Sequence, residues 1–294
     1  MSAGVHGKRP RSLRLSSATV TSWRGRRQYL MVVSLGFDIS KVTSRVVELI
    51  IGGQPIEIQQ VPYQAGLYIG NMFFCSGSIV TTTHIITAAH CLAFVYVTKT
   101  SRPGSYTKYL NVRVGSSNMY VGGQSITVRN YSIHQKFSRV TVDYDVGVIT
   151  LKTPLNFTTL IQPLKLAEKE PKHGQEVRVS GWGYVKEIGP TSRKLQSVTV
   201  KLVGRETCEN NYRGRFQVTD RMICASAEDK DACYGDSGGP LVHKGKLLGI
   251  VSSGEGCARK NFPGIYTSVA NREIKEFILK ETGLKNKCKF PGLC

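Results

Sequence analysis

The sequence predicts an all-β protein built from antiparallel barrels, with one helix near the C-terminus. Short runs of β-branched or alternating apolar residues are separated by glycine, proline, asparagine and serine, which is typical of strands joined by turns. The runs are 81–89, 110–114, 125–129, 146–151, 176–180, 197–202 and 247–251. Many short strands at this spacing favour barrels. The length of 294 residues suits two barrels packed around a shared cleft.

The segment 269–285 departs from the strand pattern. Its apolar residues fall near helical spacing: Ile274, Phe277, Ile278 and Leu284. Gly283 near the end is a helix stop signal. We therefore expect a C-terminal helix that docks on the second barrel, and a linker between the barrels near 163–172, which contains two prolines and several charges.

The most specific chemical signal is a serine in the string Gly235-Asp236-Ser237-Gly238-Gly239-Pro240. Two partners lie upstream, His90 in Thr87-Ala88-Ala89-His90-Cys91 and Asp145 at the start of an apolar run. Taken singly, His90 is more simply a structural histidine and Asp145 a strand-edge carboxylate. The three together indicate acyl transfer through a serine ester.

The order His90, Asp145, Ser237 within these local sequences resembles the chymotrypsin/trypsin family of serine endopeptidases, over about 50–285. Other hydrolase folds place the same residue types in a different order. The resemblance implies two antiparallel six-stranded β-barrels packed around a shared cleft, and no cofactor. Barrel one is expected at about 50–165, barrel two at about 166–270 and the helix at about 271–285.

The resemblance also assigns roles to the three residues. A serine hydroxyl is not ionised at neutral pH, so Ser237 needs His90 as a base that titrates near neutrality. Asp145 holds the imidazole in one tautomer and offsets its developing charge. The backbone N–H groups of Gly235 and Ser237 match the family's oxyanion hole.

The expected specificity pocket has a carboxylate at its base. By resemblance this is Asp231, six residues before Ser237, while Gly254 and Gly264 leave the pocket walls open. A carboxylate in such a slot implies protein or peptide substrates cleaved after Arg or Lys. Ala232 replaces a hydroxyl of trypsin itself, which disfavours the strongly hydrated lysine ammonium and predicts Arg over Lys. The alternative for Asp231 is a solvated acidic loop.

The resemblance implies a zymogen. Ile50 matches the family's mature N-terminus, whose freed amino group pairs with Asp236. Activation is therefore expected at Leu49–Ile50, and a pocket based on Asp231 should cut poorly after Leu49. A second protease that favours an apolar residue, or a trimming exopeptidase, is implied.

Eight cysteines without a CxxC pair indicate disulfides and an oxidising compartment, hence a secreted, extracellular protein. Family pairing would join Cys75 to Cys91, Cys208 to Cys224 and Cys233 to Cys257. Cys288 and Cys294 remain in the tail 286–294. A Pro-Gly turn between them favours a small loop closed by Cys288–Cys294, and pairing to another chain is the alternative.

Residues 1–49 are predicted to form a leader that comprises a signal peptide and a propeptide. The apolar run 29–37 is long enough for a signal h-region and too short to span a bilayer. The 28 residues before it are longer than usual for the basic region, so either the signal is extended or the start codon is misassigned.

Two departures from the family pattern affect binding. The segment 115–130 has no Asp or Glu, whereas calcium-binding relatives carry carboxylates there, so no metal is predicted. Ser253 stands where the family usually has a tryptophan that helps to wall the substrate subsites. The loss of this aromatic surface predicts weaker binding of extended substrates.

The net charge of +20, from 40 basic and 20 acidic residues, is compatible with binding to nucleic acid, anionic polysaccharide or membrane. No nucleic-acid motif accompanies the charge, so a role in solubility or loose adhesion to anionic polysaccharide is favoured over specific nucleic acid. Protein protease inhibitors are further candidate partners. The alternative to an active endopeptidase is a protease-fold binding protein or inert zymogen that adheres to anionic glycans. Such proteins usually lack a triad residue, and this chain has all three.

Overall fold

The computed structural model describes residues 52–97, 107, 109–184, 191–228 and 230–285, with backbone alone for 94–97. The leader 1–49, Ile50, Cys288 and Cys294 lie outside these residues. Within them the strands are β1 Gln54–Pro55, β2 Gln64–Ile69, β3 Met72–Ile79, β4 His84–Thr87, β5 Leu110–Val114, β6 Gln124–Ile133, β7 Gly147–Leu151, β8 Lys165–Leu166, β9 Glu176–Gly181, β10 Gln196–Val203, β11 Met222–Ser226, β12 Pro240–His243, β13 Lys246–Ser253 and β14 Gly264–Ser268. The helices are α1 Ala89–Val97, α2 Arg205–Tyr212 and α3 Arg272–Thr282.

The first barrel closes in the order β2-β3-β4-β7-β6-β5, with every neighbouring pair antiparallel. Strand β5 shows how the interior of this barrel is filled. Leu110, Val112 and Val114 are buried, whereas Asn111 and Arg113 between them are partly exposed. Because side chains alternate between the faces of a strand, the apolar set fills the barrel interior.

The second barrel closes in the order β9-β10-β11-β14-β13-β12, through antiparallel pairs that include β12 with β9. Strand β1 extends its sheet beside β10, and β8 pairs in parallel with β13. In β10, Val198, Val200 and Leu202 are buried, while Thr199 and Lys201 are exposed. The predicted all-β fold with two six-stranded barrels is confirmed.

The predicted C-terminal helix is confirmed as α3. The Asn271 side chain accepts the N–H groups of Glu273 and Ile274 at its start, and Gly283 ends it with a φ of 68°. The predicted docking was wrong in part. Helix α3 contacts β7 of the first barrel, and its buried Ile274 and Ile278 join a core cluster that contains residues of both barrels. Helical spacing identifies an apolar face, but it does not identify what that face meets.

Several elements depart from the strand predictions. Only His84–Thr87 of the segment 81–89 is a strand, because α1 begins at Ala89. Strands β1, β2, β3, β8, β11, β12 and β14 and helices α1 and α2 were not predicted. Strand β14 was not predicted because all five of its residues are buried, so its sequence shows no alternation between an apolar and a polar face.

Three disulfides connect these elements: Cys75–Cys91, Cys208–Cys224 and Cys233–Cys257. They are the three pairs that the resemblance implied within the described residues. Of the helices that the structure describes, none has the length and apolarity needed to cross a membrane.

Candidate active site

Asp145 lies just before β7, and its side chain is fully buried. One carboxylate oxygen accepts the backbone N–H of His90 at 2.8 Å, and the other accepts His90 Nδ1 at 2.8 Å and Ser252 Oγ at 2.6 Å. Its carbonyl oxygen accepts Thr267 Oγ1 at 2.9 Å. Burying a carboxylate is costly unless donors replace water, and here donors come from both barrels.

His90 is in the first turn of α1, next to the disulfide that joins Cys91 to Cys75 in β3. The carboxylate of Asp145 can only accept, so Nδ1 carries the proton and Nε2 is left as an acceptor. The imidazole is 32% exposed. Burial disfavours its charged form, but the charge and hydrogen bond of Asp145 outweigh this effect and raise the pKa of His90. The basicity of the imidazole is therefore increased, and Nε2 carries no proton in its neutral form.

Ser237 lies on a turn held by both barrels. Its carbonyl oxygen accepts the N–H of Ser76 in β3 at 2.8 Å, and the next residue, Gly238, donates its N–H to Val251 of β13 at 2.8 Å. Cys91 Sγ is 3.7 Å from the Ser237 carbonyl oxygen and 3.7 Å from His90 Nε2. The structure thus brings the serine turn beside the histidine that accepts at Nε2.

Gly235 gives the turn its shape. Its φ of 97° is in a region that side chains rarely adopt, and a Cβ there would lie 3.0 Å from the Cα of Gly183. The Gly235 carbonyl accepts Ser76 Oγ at 3.3 Å. Among the described residues, the N–H groups of Gly235 and Ser237 have no acceptor. Within the described part of the chain, both N–H groups are thus donors that no acceptor satisfies.

Asp231 is 4% exposed and only half satisfied. Oδ2 accepts the N–H of Ala258 at 3.0 Å, while Oδ1 is buried and has no hydrogen-bond partner among the described residues, as is the case for the hydroxyl of Tyr266. A Cβ added at Gly264 would lie 2.7 Å from Asp231 Oδ1 and 3.3 Å from the Tyr266 hydroxyl. Glycine at 264 therefore leaves room beside two unpartnered polar atoms.

Burial shifts the titration of this carboxyl. It raises the pKa of Asp231 to about 7, although the N–H groups of Ala258 and Ala232 act in the opposite direction. Ala232 is half-buried against the core of the second barrel and contributes no side-chain donor. Gly254 is exposed, and a Cβ there would meet nothing closer than 3.6 Å, so packing within the chain does not require glycine at this position.

Asp236 is fully buried beside the nucleophile candidate. Its carboxylate accepts the N–H of Gly183 at 2.9 Å and that of Cys233 at 3.0 Å. Burial raises the pKa of Asp236 to about 6 despite these two bonds. Its expected partner, Ile50, lies outside the described residues, and no cationic side chain within them pairs with it.

Comparison with known proteins fits this geometry. A family model described as Trypsin matches residues 50–278, which is more than half of the chain. The chain belongs to the trypsin family. This membership makes it a serine endopeptidase and confirms the resemblance read from the sequence.

Individual relatives of this trypsin-family chain span most of its length. It is 37% identical over 240 residues to Trypsin 5G1 of Aedes aegypti, covering 80% of this chain and 85% of that protein. It is 40% identical over 223 residues to Hypodermin-B of Hypoderma lineatum, covering 75% and 83%. The solved structure of neuropsin, a serine protease expressed in the limbic system of mouse brain, superposes with a TM-score of 0.69 at 30% identity, covering 78% of this chain and 98% of that one.

Sequence reasoning missed the polar residues that support this trypsin-family site. Ser252 and Thr267 both donate to Asp145, and Ser76 contacts two residues of the serine turn. Serine and threonine are common in strands, so no local signal separates these three from the rest.

One group of metal-ligand atom types lies at the site. Cys75, His90 and Cys91 present such atoms within 4.8 Å of one another. The two sulfurs are bonded to each other in a disulfide, so neither is the thiolate that a metal site requires.

Ser252 and Ser253 provide a matched pair of variants for the support of Asp145. Ser252→Ala removes a donor to a buried carboxylate, so we expect the free energy of unfolding to fall by about 1.5–3 kcal/mol. Activity should also fall. Ser253→Ala removes a buried hydroxyl that has no partner within the part of the chain that the structure describes, so stability should stay within about 0.5 kcal/mol or rise. Denaturant unfolding of both variants checks this; equal losses would contradict it.

Proposed function

We propose that this serine endopeptidase is secreted as a zymogen and cleaves after Arg in preference to Lys, with His90, Asp145 and Ser237 as its catalytic residues. The observation that carries the proposal is Asp231, a buried carboxylate with one oxygen that no described residue partners. An unpaired buried carboxylate is costly. A substrate cation that enters the pocket would supply the missing partner.

The hydrogen bond between His90 Nδ1 and Asp145 supports the following chemistry. His90 Nε2 removes the Ser237 proton as the hydroxyl oxygen attacks the scissile carbonyl carbon, and Asp145 stabilises the imidazolium that forms. The oxyanion receives the N–H groups of Gly235 and Ser237. His90 then gives its proton to the leaving amine as the C–N bond breaks. Water, deprotonated by His90, hydrolyses the acyl ester and restores Ser237.

The preference for Arg rests on Ala232, beside Asp231. A guanidinium spreads its donors in a planar fork that pairs with a carboxylate, whereas an ammonium is a compact and strongly hydrated charge. Ala232 offers no hydroxyl to replace the water that lysine loses. The Tyr266 hydroxyl, also unpartnered near Gly264, is a further group that a guanidinium donor can reach.

The specificity pocket at Asp231 is tested with matched chromogenic substrates. These differ only in the residue before the scissile bond. For protein processed to begin at Ile50, kcat/KM should fall in the order Arg, Lys, Phe, because Asp231 requires a cation. Ser237→Ala should lose turnover by several orders of magnitude and keep its thermal stability, since only one hydroxyl of a partly exposed side chain is removed. A preference for Phe, or normal turnover in Ser237→Ala, would overturn the assignment.

Cation binding should depend on pH through Asp231. Its pKa is raised to about 7 by burial, so the carboxyl is neutral below that pH and ionised above it. The affinity for benzamidinium, an aryl cation that resembles a guanidinium, should therefore rise between about pH 5 and about pH 9. Calorimetry at several pH values measures this, and binding below neutrality should release a proton. Asp231→Asn should bind weakly with little pH dependence; an unchanged profile would count against the assignment.

Zymogen activation is proposed from the burial of Asp236. The freed amino group of Ile50 would pair with its carboxylate and order the turn that contains Gly235 and Ser237. The residue before the cut is Leu49, which does not suit a pocket based on Asp231. Cleavage after Arg45 would leave four extra residues, about 13 Å of extended chain, ahead of Ile50.

The proenzyme should therefore not activate itself. Incubated alone or with trypsin it should remain inactive, whereas a protease that favours apolar residues should yield activity together with Ile50 as the new N-terminus. N-terminal sequencing over the time course distinguishes these cases. Spontaneous activation at Ile50, or full activity of a form that begins at Val46, would refute the idea.

Secretion is supported by the three disulfides, which persist in oxidising compartments. The expected partners of this endopeptidase are protein substrates, an activating protease and protein protease inhibitors. The net charge of +20 supports an added affinity for anionic polysaccharide. The inert binding protein is less favoured, because the hydrogen-bonded His90–Asp145 pair is present.

A further inference from the structure

The loop before Asp145 has an unusual backbone. Val142 and Tyr144 have φ values of 53° and 54°, and they are two of the five non-glycine residues with positive φ in the described part of the chain. Branched and bulky side chains rarely adopt this region. Such a backbone persists only where surrounding contacts impose it. Two sets of contacts hold this loop.

The first set of contacts holds Asp143. Arg221, just before β11 of the second barrel, donates to its two carboxylate oxygens from Nε at 3.0 Å and from Nη2 at 2.7 Å. Thr219 Oγ1 adds a third donor at 2.9 Å. The Asp143 side chain is 13% exposed and that of Arg221 21%. This paired, mostly buried fork attaches the loop to the second barrel.

The second set holds the Tyr144 ring. Its hydroxyl donates to Glu273 of α3 at 2.8 Å, and the guanidinium of Arg221 lies 4.7 Å from the ring centroid. Lys136 Nζ, which also pairs with Glu273 at 2.6 Å, lies 5.2 Å from the same centroid. The ring of His134 stacks on it at 4.6 Å. Groups from the segment just before β11, from α3 and from the 134–136 turn therefore surround the Tyr144 side chain.

We propose that Asp143, Tyr144, Arg221 and Glu273 form a clasp that positions Asp145 for catalysis. Asp145 follows Tyr144 directly, and both of its oxygens must meet His90, at the backbone N–H and at Nδ1. The clasp sets the backbone angles that aim the carboxylate. Its members are positioning residues, because no hydrogen bond or ion pair of the described residues joins them to the side chains of His90 or Ser237.

A structural role alone would give a different result from a positioning role. If the clasp only joined the barrels and α3, its loss would lower the melting temperature and leave the enzymology of the remaining folded protein unchanged. If it aims Asp145, its loss weakens the support of His90. Turnover then falls, and the apparent pKa of the base in kcat/KM moves down towards that of free imidazole.

The test uses the activated protein and an arginine substrate. Tyr144→Phe removes only the hydroxyl, and Glu273→Ala removes its acceptor. We expect kcat to fall by about 10- to 100-fold in Glu273→Ala, with KM within about two-fold, since small displacements of a catalytic group have effects of this size. Tyr144→Phe should shift the same quantities in the same direction. Glu273→Gln, which keeps an acceptor for the tyrosine hydroxyl, should recover part of the loss.

Glu276→Ala is the matched control. Glu276 lies on the exposed side of α3 and pairs only with Arg272 among the described residues. Its kcat, KM and pH profile should match the wild type. Wild-type kcat and pH profiles in both Tyr144→Phe and Glu273→Ala would overturn the clasp, whatever their melting temperatures. The inference rests on the proposed triad, and comparison of wild type with Ser237→Ala tests the triad separately.

Discussion

The buried carboxylate of Asp145 constrains how the two barrels fit together. His90 from the first barrel and Ser252 from the second both donate to its oxygens, while Thr267 of the second barrel fixes its carbonyl. A displacement that withdrew these donors would leave a charge in a medium that solvates it poorly. The same bonds that make burial tolerable also set the tautomer of His90, so packing and chemistry depend on one group.

The loop 231–238 contains two further buried acids, Asp231 and Asp236, and burial raises the pKa of each. Neither pairs with a cationic side chain within the described residues. According to the proposed function, both carboxylates are neutralised by cationic groups that are not part of the folded barrels. A substrate side chain would neutralise one, and the amino group of Ile50 would neutralise the other. Substrate recognition and activation then use the same physical device within one loop.

The sequence predicted those elements whose residue pattern is contained within one short segment. Strand β5 was predicted with its correct bounds, because Leu110, Val112 and Val114 alternate with more polar residues. Strand β14 was not, because it is buried on both faces. The partners of Asp145 lie far along the chain, 107 residues away for Ser252 and 122 for Thr267. Contacts of this kind arise from barrel closure, and no local pattern encodes them. The contact of α3 with β7 of the first barrel was missed for the same reason.

Strand β1 has a consequence for how a new N-terminus would be delivered. Gln54 and Pro55 pair with β10, and Ile56 donates its N–H to Leu195 at 3.0 Å. The chain is thus anchored to the second barrel four residues after Ile50. A short tether confines its free end to a small volume, which corresponds to a high effective concentration. Insertion would be an intramolecular step whose equilibrium is independent of enzyme concentration, and free peptides that mimic the terminus would compete at a large disadvantage.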